Sequence, residues 1–143
     1  MEHTKILIGK DYLPEVLQLI NSAKQSIFVI IFDWRIYPTP HNTTESTLLN
    51  AFVKAQARGV DIKVIANNDY VKDRLTALKI PCQRAKFFKI VHAKLILIDE
   101  KIAVLGSHNF TNNAFERNLE ISVKLENIED IPNLTNYFNK LWS

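Results

Sequence analysis

Two side chains suited to phosphate chemistry stand two residues apart in an apolar part of the chain. His92 and Lys94 open a run that continues through Ile98 and is typical of a β-strand. In a strand, alternate residues point to the same face, so the imidazole and the ammonium would project together from a rigid support. An imidazole can attack phosphorus or carry a proton, and an ammonium supplies a fixed positive charge for the phosphoryl oxygens. The pair therefore predicts chemistry on a phosphate ester.

The pattern continues beyond this pair with further residues at defined spacing. An acidic residue, a glycine-serine pair, an amide and a second acidic residue follow: Asp99, Gly106, Ser107, Asn109 and Glu120. The spacing His-x-Lys-x4-Asp followed by Gly-Ser-x-Asn resembles the signature of the phospholipase D superfamily. The continuation Gly-Ser-x-Asn-Phe-Thr is similar to that of the small single-motif bacterial endonucleases in this superfamily, and the resemblance covers about residues 26–125.

The resemblance implies a metal-independent phosphodiesterase that acts as a nuclease on DNA or RNA. His92 would attack phosphorus and form a phosphohistidine, while Lys94 would neutralise the non-bridging oxygens. Asn109 and Ser107 would donate hydrogen bonds to the same oxygens. Glu120 would accept from a His92 ring nitrogen, and the resemblance suggests that it reaches the histidine of a second copy. Neither a metal nor another cofactor is implied.

The remaining residues of the motif have structural roles in this interpretation. Asp99 lies at a predicted hairpin turn, where we expect it to hold the turn and the strand rather than to touch substrate. Gly106 ends the returning strand and supplies the small residue of the motif. His108 is an alternative proton carrier, but adjacent residues usually diverge in direction, so we expect its ring to point away from the site.

The single copy of the motif predicts a homodimer. In-line attack by one imidazole leaves the departing alcohol on the opposite side of phosphorus, where it needs a proton. One imidazole cannot occupy both sides, and general acid help of this kind contributes on the order of 10²–10⁴-fold. A two-fold dimer would bring two His92 side chains face to face across the phosphate.

Hydrophobic periodicity predicts alternating strands and helices. The predicted strands are 5–8, 26–34, 60–66, 92–98, 102–106 and 119–125, with an extended edge segment at 81–87. The predicted helices are 11–24, 45–58, 69–79 and 131–141, and loop residues dominate 35–44. This alternation favours an α/β fold in a single domain over residues 1–143, with helices on both faces of a mixed sheet.

Composition limits the classes of protein that need consideration. The 143 residues carry a net charge of +3 with a pI near 9.0, which is compatible with a polyanionic partner. The single cysteine, Cys82, cannot form an internal disulfide, and no cysteine-histidine spacing suggests zinc. The N-terminus does not resemble a signal peptide, and the apolar run 27–34 is too short to cross a bilayer. We therefore expect a cytoplasmic protein without a membrane anchor.

Other aromatic and basic residues are candidates for a substrate cleft. Trp34 either lines the cleft or belongs to the core, and Arg35 and Arg117 are candidates for the rim. Phe87 and Phe88 could stack bases; alternatively, one ring lies in the core and the other at a dimer contact. Nearby basic side chains that either contact phosphate or are simply solvated are Arg84, Lys86 and Lys89.

Two other functions fit the same residues. Phospholipid head-group hydrolysis or transfer uses the same chemistry in this superfamily, but the sequence has no lipid-binding stripe with a basic face. A catalytically silent dimer that docks nucleic acid at His92 is the non-enzymatic alternative. The intact set of reactive residues argues against this silent dimer.

Overall fold

Seven strands form one mixed sheet in the part of the chain that the computed structural model describes, residues 3–37 and 42–143. In chain order the strands are β1 (Thr4–Ile8), β2 (Ser26–Ile31), β3 (Asp61–Ala66), β4 (Cys82–Arg84), β5 (Leu95–Ile98), β6 (Ile102–Gly106) and β7 (Ile121–Glu126). The α-helices are α1 (Tyr12–Ser22), α2 (Thr44–Ala57), α3 (Asp69–Ala77) and α4 (Ile131–Leu141). Residues 38–41 of the predicted loop lie outside the described residues.

The central position of β2 follows from its composition, which is apolar on both faces. The strands lie in the order β1-β7-β6-β5-β2-β3-β4, with β2 parallel to β3 and antiparallel to β5. All six residues of β2 are buried, as expected for a strand rich in β-branched and aromatic side chains. The combination of parallel and antiparallel pairs confirms the predicted mixed sheet.

Helices cover both faces of this sheet. On one face, α1, α2 and α3 bury apolar side chains that include Val16, Phe52 and Leu75. On the other face, the ring of Phe138 in α4 stacks on Phe28 of β2, with 4.9 Å between the ring centroids. These layers confirm the predicted α/β fold with helices on both sides. No helix in the described ranges is long and apolar enough to span a membrane.

The strand that carries the reactive residues is shorter than predicted. β5 begins at Leu95, so His92 and Lys94 lie in an extended segment in front of the strand and not within it. The ladder stops at this point because β2, the neighbour on one side, ends at Ile31. On the other side, the N–H of Gly106 donates to the carbonyl of Lys94 at 3.4 Å.

Other predicted strands are also shorter in the structure, and the one predicted at 26–34 ends as β2 at Ile31. The edge segment predicted at 81–87 is a strand only over Cys82–Arg84, because its neighbour β3 ends opposite Arg84. β7 begins at Ile121 rather than at residue 119, and the side chain of Leu119 is 91% exposed. A π-helical turn at Asn113–Arg117, which periodicity did not predict, precedes β7.

The carboxylate of Asp99 joins the β5–β6 turn to the start of β2. It accepts hydrogen bonds from the backbone N–H groups of Lys24, Gln25 and Ser26, the shortest at 2.7 Å from Gln25. Burial by itself would raise the pKa of Asp99, but the three backbone donors lower it below its usual value. These contacts give Asp99 a structural role at the end of the sheet opposite His92.

Gly106 allows β6 and β7 to approach closely at the other end of the sheet. A Cβ atom at this position would lie 2.4 Å from the Cα of Ser122 and 2.7 Å from the carbonyl oxygen of Ile121. Its φ of +156° is also rarely adopted by residues with a side chain. Only glycine therefore fits where the chain leaves β6 and enters the Ser107–Asn109 segment.

Replacing Asp99 with alanine should lower the free energy of unfolding by about 1–3 kcal/mol, because the buried N–H of Ser26 loses its acceptor. In the wild type this stabilisation is present above the pKa of an unfolded aspartate and is lost as the pH falls through the lowered pKa. Urea unfolding followed by circular dichroism measures the change. Glu100→Ala, at the next turn position, is the matched control, and an equal loss in that variant would contradict the assigned role.

Candidate active site

His92 and Lys94 form a contacting pair despite lying outside β5. The Lys94 Nζ atom is 3.2 Å from Nδ1 and 3.3 Å from Nε2 of the exposed His92 ring. An ammonium only donates, so the ring nitrogen that it contacts must offer a lone pair. The ring of Phe32, just beyond the end of β2, lies 5.0 Å from the His92 ring and 5.4 Å from Lys94 Nζ. Sequence reasoning missed Phe32, which follows the strand that pairs with β5.

The ammonium of Lys94 shares its electrostatic environment with Glu120. Burial lowers the pKa of Lys94, and the negative charge of Glu120 acts in the opposite direction without cancelling the effect. Partial removal from water strengthens the interaction of a cation with an incoming anion. Lys94 is thus suited to bind a phosphoryl oxygen.

Both carboxylate oxygens of Glu120 are held by neighbouring side chains. The hydroxyl of Ser107 donates to Oε1 at 2.6 Å, and the amide of Asn118 donates to Oε2 at 3.1 Å. The Ser107 oxygen in turn accepts from the N–H of Ile121 at 3.0 Å. The sequence did not identify Asn118, which lies two residues before Glu120, as a residue of the site.

The contacts of Ser107 change the role predicted for it. A serine hydroxyl carries one proton, and that proton is donated to Glu120. In this arrangement Ser107 positions the carboxylate of Glu120, and the predicted hydrogen bond to a phosphate would require Ser107 to release Glu120. The spacing of the motif did not reveal this pairing because the two residues are brought together by the β6–β7 contact at Gly106.

Asn109 is oriented by the backbone that follows β2. Its Oδ1 atom accepts from the N–H of Asp33 at 3.0 Å. This contact fixes the orientation of the side-chain amide, and its Nδ2 group can still donate to another acceptor. The backbone of Phe110 is hydrogen bonded to both Asp33 and Arg35, so the two loops form one unit. The amide nitrogen of Asn109 can therefore donate to a phosphoryl oxygen from a fixed position.

A polar cavity of about 550 Å³ lies over these two loops. The charged and amide side chains that line its wall include Asp33, Arg35, Asn109, Asn118 and Glu120. The Arg35 Nε atom is 3.6 Å from Asp33 Oδ1, so one cation of the predicted rim lies at the cavity. Arg117 is exposed at the end of the π-helical turn and is not part of the cavity wall.

Trp34 belongs to the core and not to the cleft. Its side chain is fully buried, with the rings of Phe52 at 5.0 Å and Phe110 at 4.8 Å between centroids. The interpretation that Trp34 lines the cleft is therefore wrong. The backbone bridge between Trp34 and Phe110 holds the two loops of the site together.

The two neighbouring phenylalanines also lie elsewhere than expected. Phe88 is half exposed and Phe87 is fully exposed, so neither ring lies in the core. The prediction that one of them is a core residue is wrong because β4 ends at Arg84 and leaves this segment outside the sheet. Arg84 itself is paired with Asp69 at 3.6 Å.

His108 is buried next to the site and is held in one tautomer. Its ring stacks on Tyr12 with 4.1 Å between centroids, and Nε2 lies 2.9 Å from the carbonyl oxygen of Gly9. A carbonyl only accepts, so Nε2 carries the proton and the hydroxyl of Ser122 donates to Nδ1 at 2.7 Å. Burial lowers the pKa of His108, against the opposing effects of Gly9 and Glu120. The ring is therefore a neutral structural group.

Comparison with known sequences assigns the family. The sequence pattern of the family described as "Cardiolipin synthase, PLD-like domain" matches residues 16–142. Phospholipase D of Rickettsia bellii (strain RML369-C) is 35% identical over 117 residues, which are 77% of this chain and 53% of the relative. The chain belongs to the phospholipase D-like family, and it spans about half the length of the curated relatives it matches.

Two solved structures share the fold over nearly their whole length. Nuc from Salmonella typhimurium, a phospholipase D family member, has a TM-score of 0.79 at 24% identity, covering 97% of this chain and 94% of that chain. NucT from Helicobacter pylori has a TM-score of 0.78 at 23% identity, covering 96% and 94%. The sheet and its flanking helices are therefore those of the phospholipase D fold.

The stability of the protein should depend on pH through His108. Its pKa is lowered in the folded state, so the unfolded chain takes up a proton first as the pH falls. The free energy of unfolding should therefore decrease on acidification below the usual histidine pKa of about 6.5. Urea unfolding at several values between pH 7.5 and 5 measures this decrease.

The variant His108→Gln should have a smaller pH dependence than the wild type over the same range. His92→Gln removes an exposed ring of the same type and is the matched control for the substitution itself, since it should lose less stability at pH 7.5 than His108→Gln. Identical slopes in the wild type and His108→Gln would contradict the assignment of His108 as the buried neutral group.

Proposed function

We propose that this protein is a metal-independent nuclease that cleaves phosphodiester bonds of DNA or RNA in a site shared by two copies of the chain. The observation that carries the proposal is the exposed His92 ring in contact with the Lys94 ammonium. This pair combines a nucleophile with a cation at the distance at which both can contact one phosphate group.

The proposed reaction has two displacement steps at phosphorus. In the first, a His92 ring nitrogen forms a bond to phosphorus, the bond to the leaving oxygen breaks, and the second copy's imidazolium donates a proton to that oxygen. In the second, water attacks phosphorus, the same imidazole accepts the proton from water, and the nitrogen–phosphorus bond breaks. The two steps together restore both histidines and leave a phosphomonoester.

Charge that develops on the non-bridging oxygens would be balanced by Lys94 and Asn109. A phosphoryl oxygen is a better acceptor for an ammonium than a neutral imidazole nitrogen, so substrate would draw Lys94 away from His92. That exchange frees the nitrogen lone pair for attack. Two lysines and two amides from the paired copies would supply the positive field that other nucleases obtain from metal ions.

The need for a second copy is supported by where the described histidines lie. His108 is buried and neutral, with both ring nitrogens engaged by Gly9 and Ser122. His3 lies beside Glu126, at the end of the sheet opposite His92. Neither is suited to protonate a leaving group at His92, which favours a second copy of His92 for that role. The carboxylate of Glu120 would then orient one of the two rings.

Nucleic acid as the substrate is favoured by the net charge of the chain and by exposed cations on the segment that precedes His92. Arg35 lines the polar cavity, Lys86 and Lys89 are exposed, and the net charge of the chain is +3. A single domain that acts in the cytoplasm would suit this substrate. The free thiol of Cys82, buried in the core, is consistent with a reducing compartment.

Phospholipid is the second candidate substrate because the related protein of Rickettsia bellii is named a phospholipase D and the family description names a cardiolipin synthase. The same phosphohistidine chemistry would release a lipid head group. Single-stranded DNA, duplex DNA, RNA and phospholipid vesicles should be assayed side by side. Head-group release without cleavage of nucleic acid would reject the nuclease in favour of the lipid enzyme.

Mixed dimers test the shared site. If each site needs His92 from both copies, refolding equal amounts of wild type and His92→Ala together should leave about one quarter of the wild-type activity per subunit. Independent subunits would instead leave about one half. Mixing with His3→Ala is the control and should preserve full activity, because His3 lies at the far end of the sheet.

Denaturing the enzyme without acid while it turns over an oligonucleotide with labelled phosphate should trap the covalent intermediate. We expect label on the wild type that is stable to base and released by acid, and none on His92→Ala. The exposure of His92 implies that this variant remains folded, which thermal unfolding checks. Excess chelator should leave both labelling and turnover unchanged, and loss of activity that Mg²⁺ restores would overturn the metal-independent mechanism.

A further inference from the structure

An apolar pocket of about 200 Å³ adjoins His92 on the face of the sheet covered by α4. His92 itself forms part of the wall, and the other lining residues include Ile30, Ile65, Phe88, Ile90 and Tyr137. The polar cavity with Asn109 and Glu120 is lined by different residues, which include Glu45 of α2 and Tyr70 of α3. The reactive histidine is thus bordered by an apolar pocket that the proposed chemistry at phosphorus does not use.

The segment Lys86–Ile90 contributes Phe88 and Ile90 to the wall of this pocket and exposes an unusual amount of apolar surface. Phe87 is fully exposed, and Phe88 and Ile90 are 52% and 55% exposed. Phe87 also has a φ of +69°, a backbone conformation that is sterically costly for a bulky residue. Burial in the core does not account for these side chains, and an exposed apolar segment of this kind is typical of a binding surface.

We propose that this pocket takes the base next to the scissile phosphate and that Phe87 stacks on a following base, so that the substrate is single-stranded nucleic acid. This inference rests on the proposed nuclease function. Phe88 and Tyr137 offer aromatic rings, and every base has a flat face that stacks on such rings. The two lysines of the segment, Lys86 and Lys89, flank the two aromatic residues, where they would contact phosphates on either side of the stacked bases.

The size and position of the pocket favour a base over the other occupants of an apolar site. Drug-sized ligands occupy pockets of about 300–1,000 Å³, so a smaller pocket suits one planar ring system better than two acyl chains of a lipid. A base adjoining the cleaved phosphate is also the part of a nucleic acid that lies closest to His92. In a duplex this base is stacked and paired, and moving it into the pocket requires it to leave the helix.

The experiment uses an oligonucleotide with one phosphodiester among phosphorothioate linkages, so that cleavage occurs at a known position. We expect the single strand to be cleaved at least about tenfold faster than the same strand in a duplex. Replacing the base on one side of that linkage by an abasic sugar should reduce kcat/KM about tenfold in the wild type. Phe88→Ser should reduce kcat/KM on the intact strand by a similar factor.

The combination of the two changes distinguishes a pocket for a base from a general loss of structure. If Phe88 contacts that base, the abasic substrate and Phe88→Ser together should lower kcat/KM no further than either change alone. Val53→Ser removes another exposed apolar side chain, on α2 at the opposite face, and should leave cleavage and its dependence on the base unchanged.

Several outcomes would overturn the inference. Equal cleavage of single strand and duplex would contradict the base pocket while leaving the nuclease function intact. The same holds if the abasic substrate and Phe88→Ser lower kcat/KM by factors that multiply when the two changes are combined. Conversion of Phe88→Ser to a monomer in sedimentation would assign the segment to contact between copies instead. Cleavage of vesicle phospholipid with no cleavage of any oligonucleotide would reject the nuclease function together with the base pocket.

Discussion

The antiparallel pairing of β2 with β5 is the contact on which the arrangement of the site depends. Because Ile30 lies opposite Leu95, the chain that continues beyond β2 passes beside the segment that precedes β5. Phe32 therefore contacts both His92 and Lys94. The same pairing brings the other end of β5 to the start of β2, where the carboxylate of Asp99 binds three backbone N–H groups. The β2–β5 pair is thus held at one end by the contacts of Phe32 with His92 and Lys94, and at the other by the hydrogen bonds to Asp99.

A second constraint is the close approach of β6 and β7 at Gly106. The absence of a side chain there lets Ser122 pass within van der Waals contact, and the segment that follows enters beside β7. Ser107 then donates to Glu120, and Ser122 donates to the buried ring of His108. One glycine therefore supports both the oriented carboxylate of the site and the neutral histidine beneath it.

These two contacts divide the surroundings of His92 into a polar side and an apolar side. Asn109, Arg35 and Glu120 line a cavity formed by loops over the α2 and α3 face, while α4 and the Lys86–Ile90 segment enclose the apolar pocket. A phosphodiester likewise combines a polar part, the anionic phosphate, with less polar substituents. The cation at Lys94 lies next to the imidazole and near the ring of Phe32, and its partial burial strengthens its interaction with an anion relative to open water.

The amino-acid sequence by itself determined the order of strands and helices, the mixed sheet and the spacing of His92, Lys94 and Asn109, because periodicity and motif spacing are properties of the chain. It did not determine where β5 begins, since a strand ends where its neighbours end. Nor could it determine that the hydroxyl of Ser107 is used by Glu120 or that Trp34 is buried against Phe52 and Phe110. Hydrogen-bond partners and burial depend on residues distant in sequence, and only the tertiary structure brings those residues together.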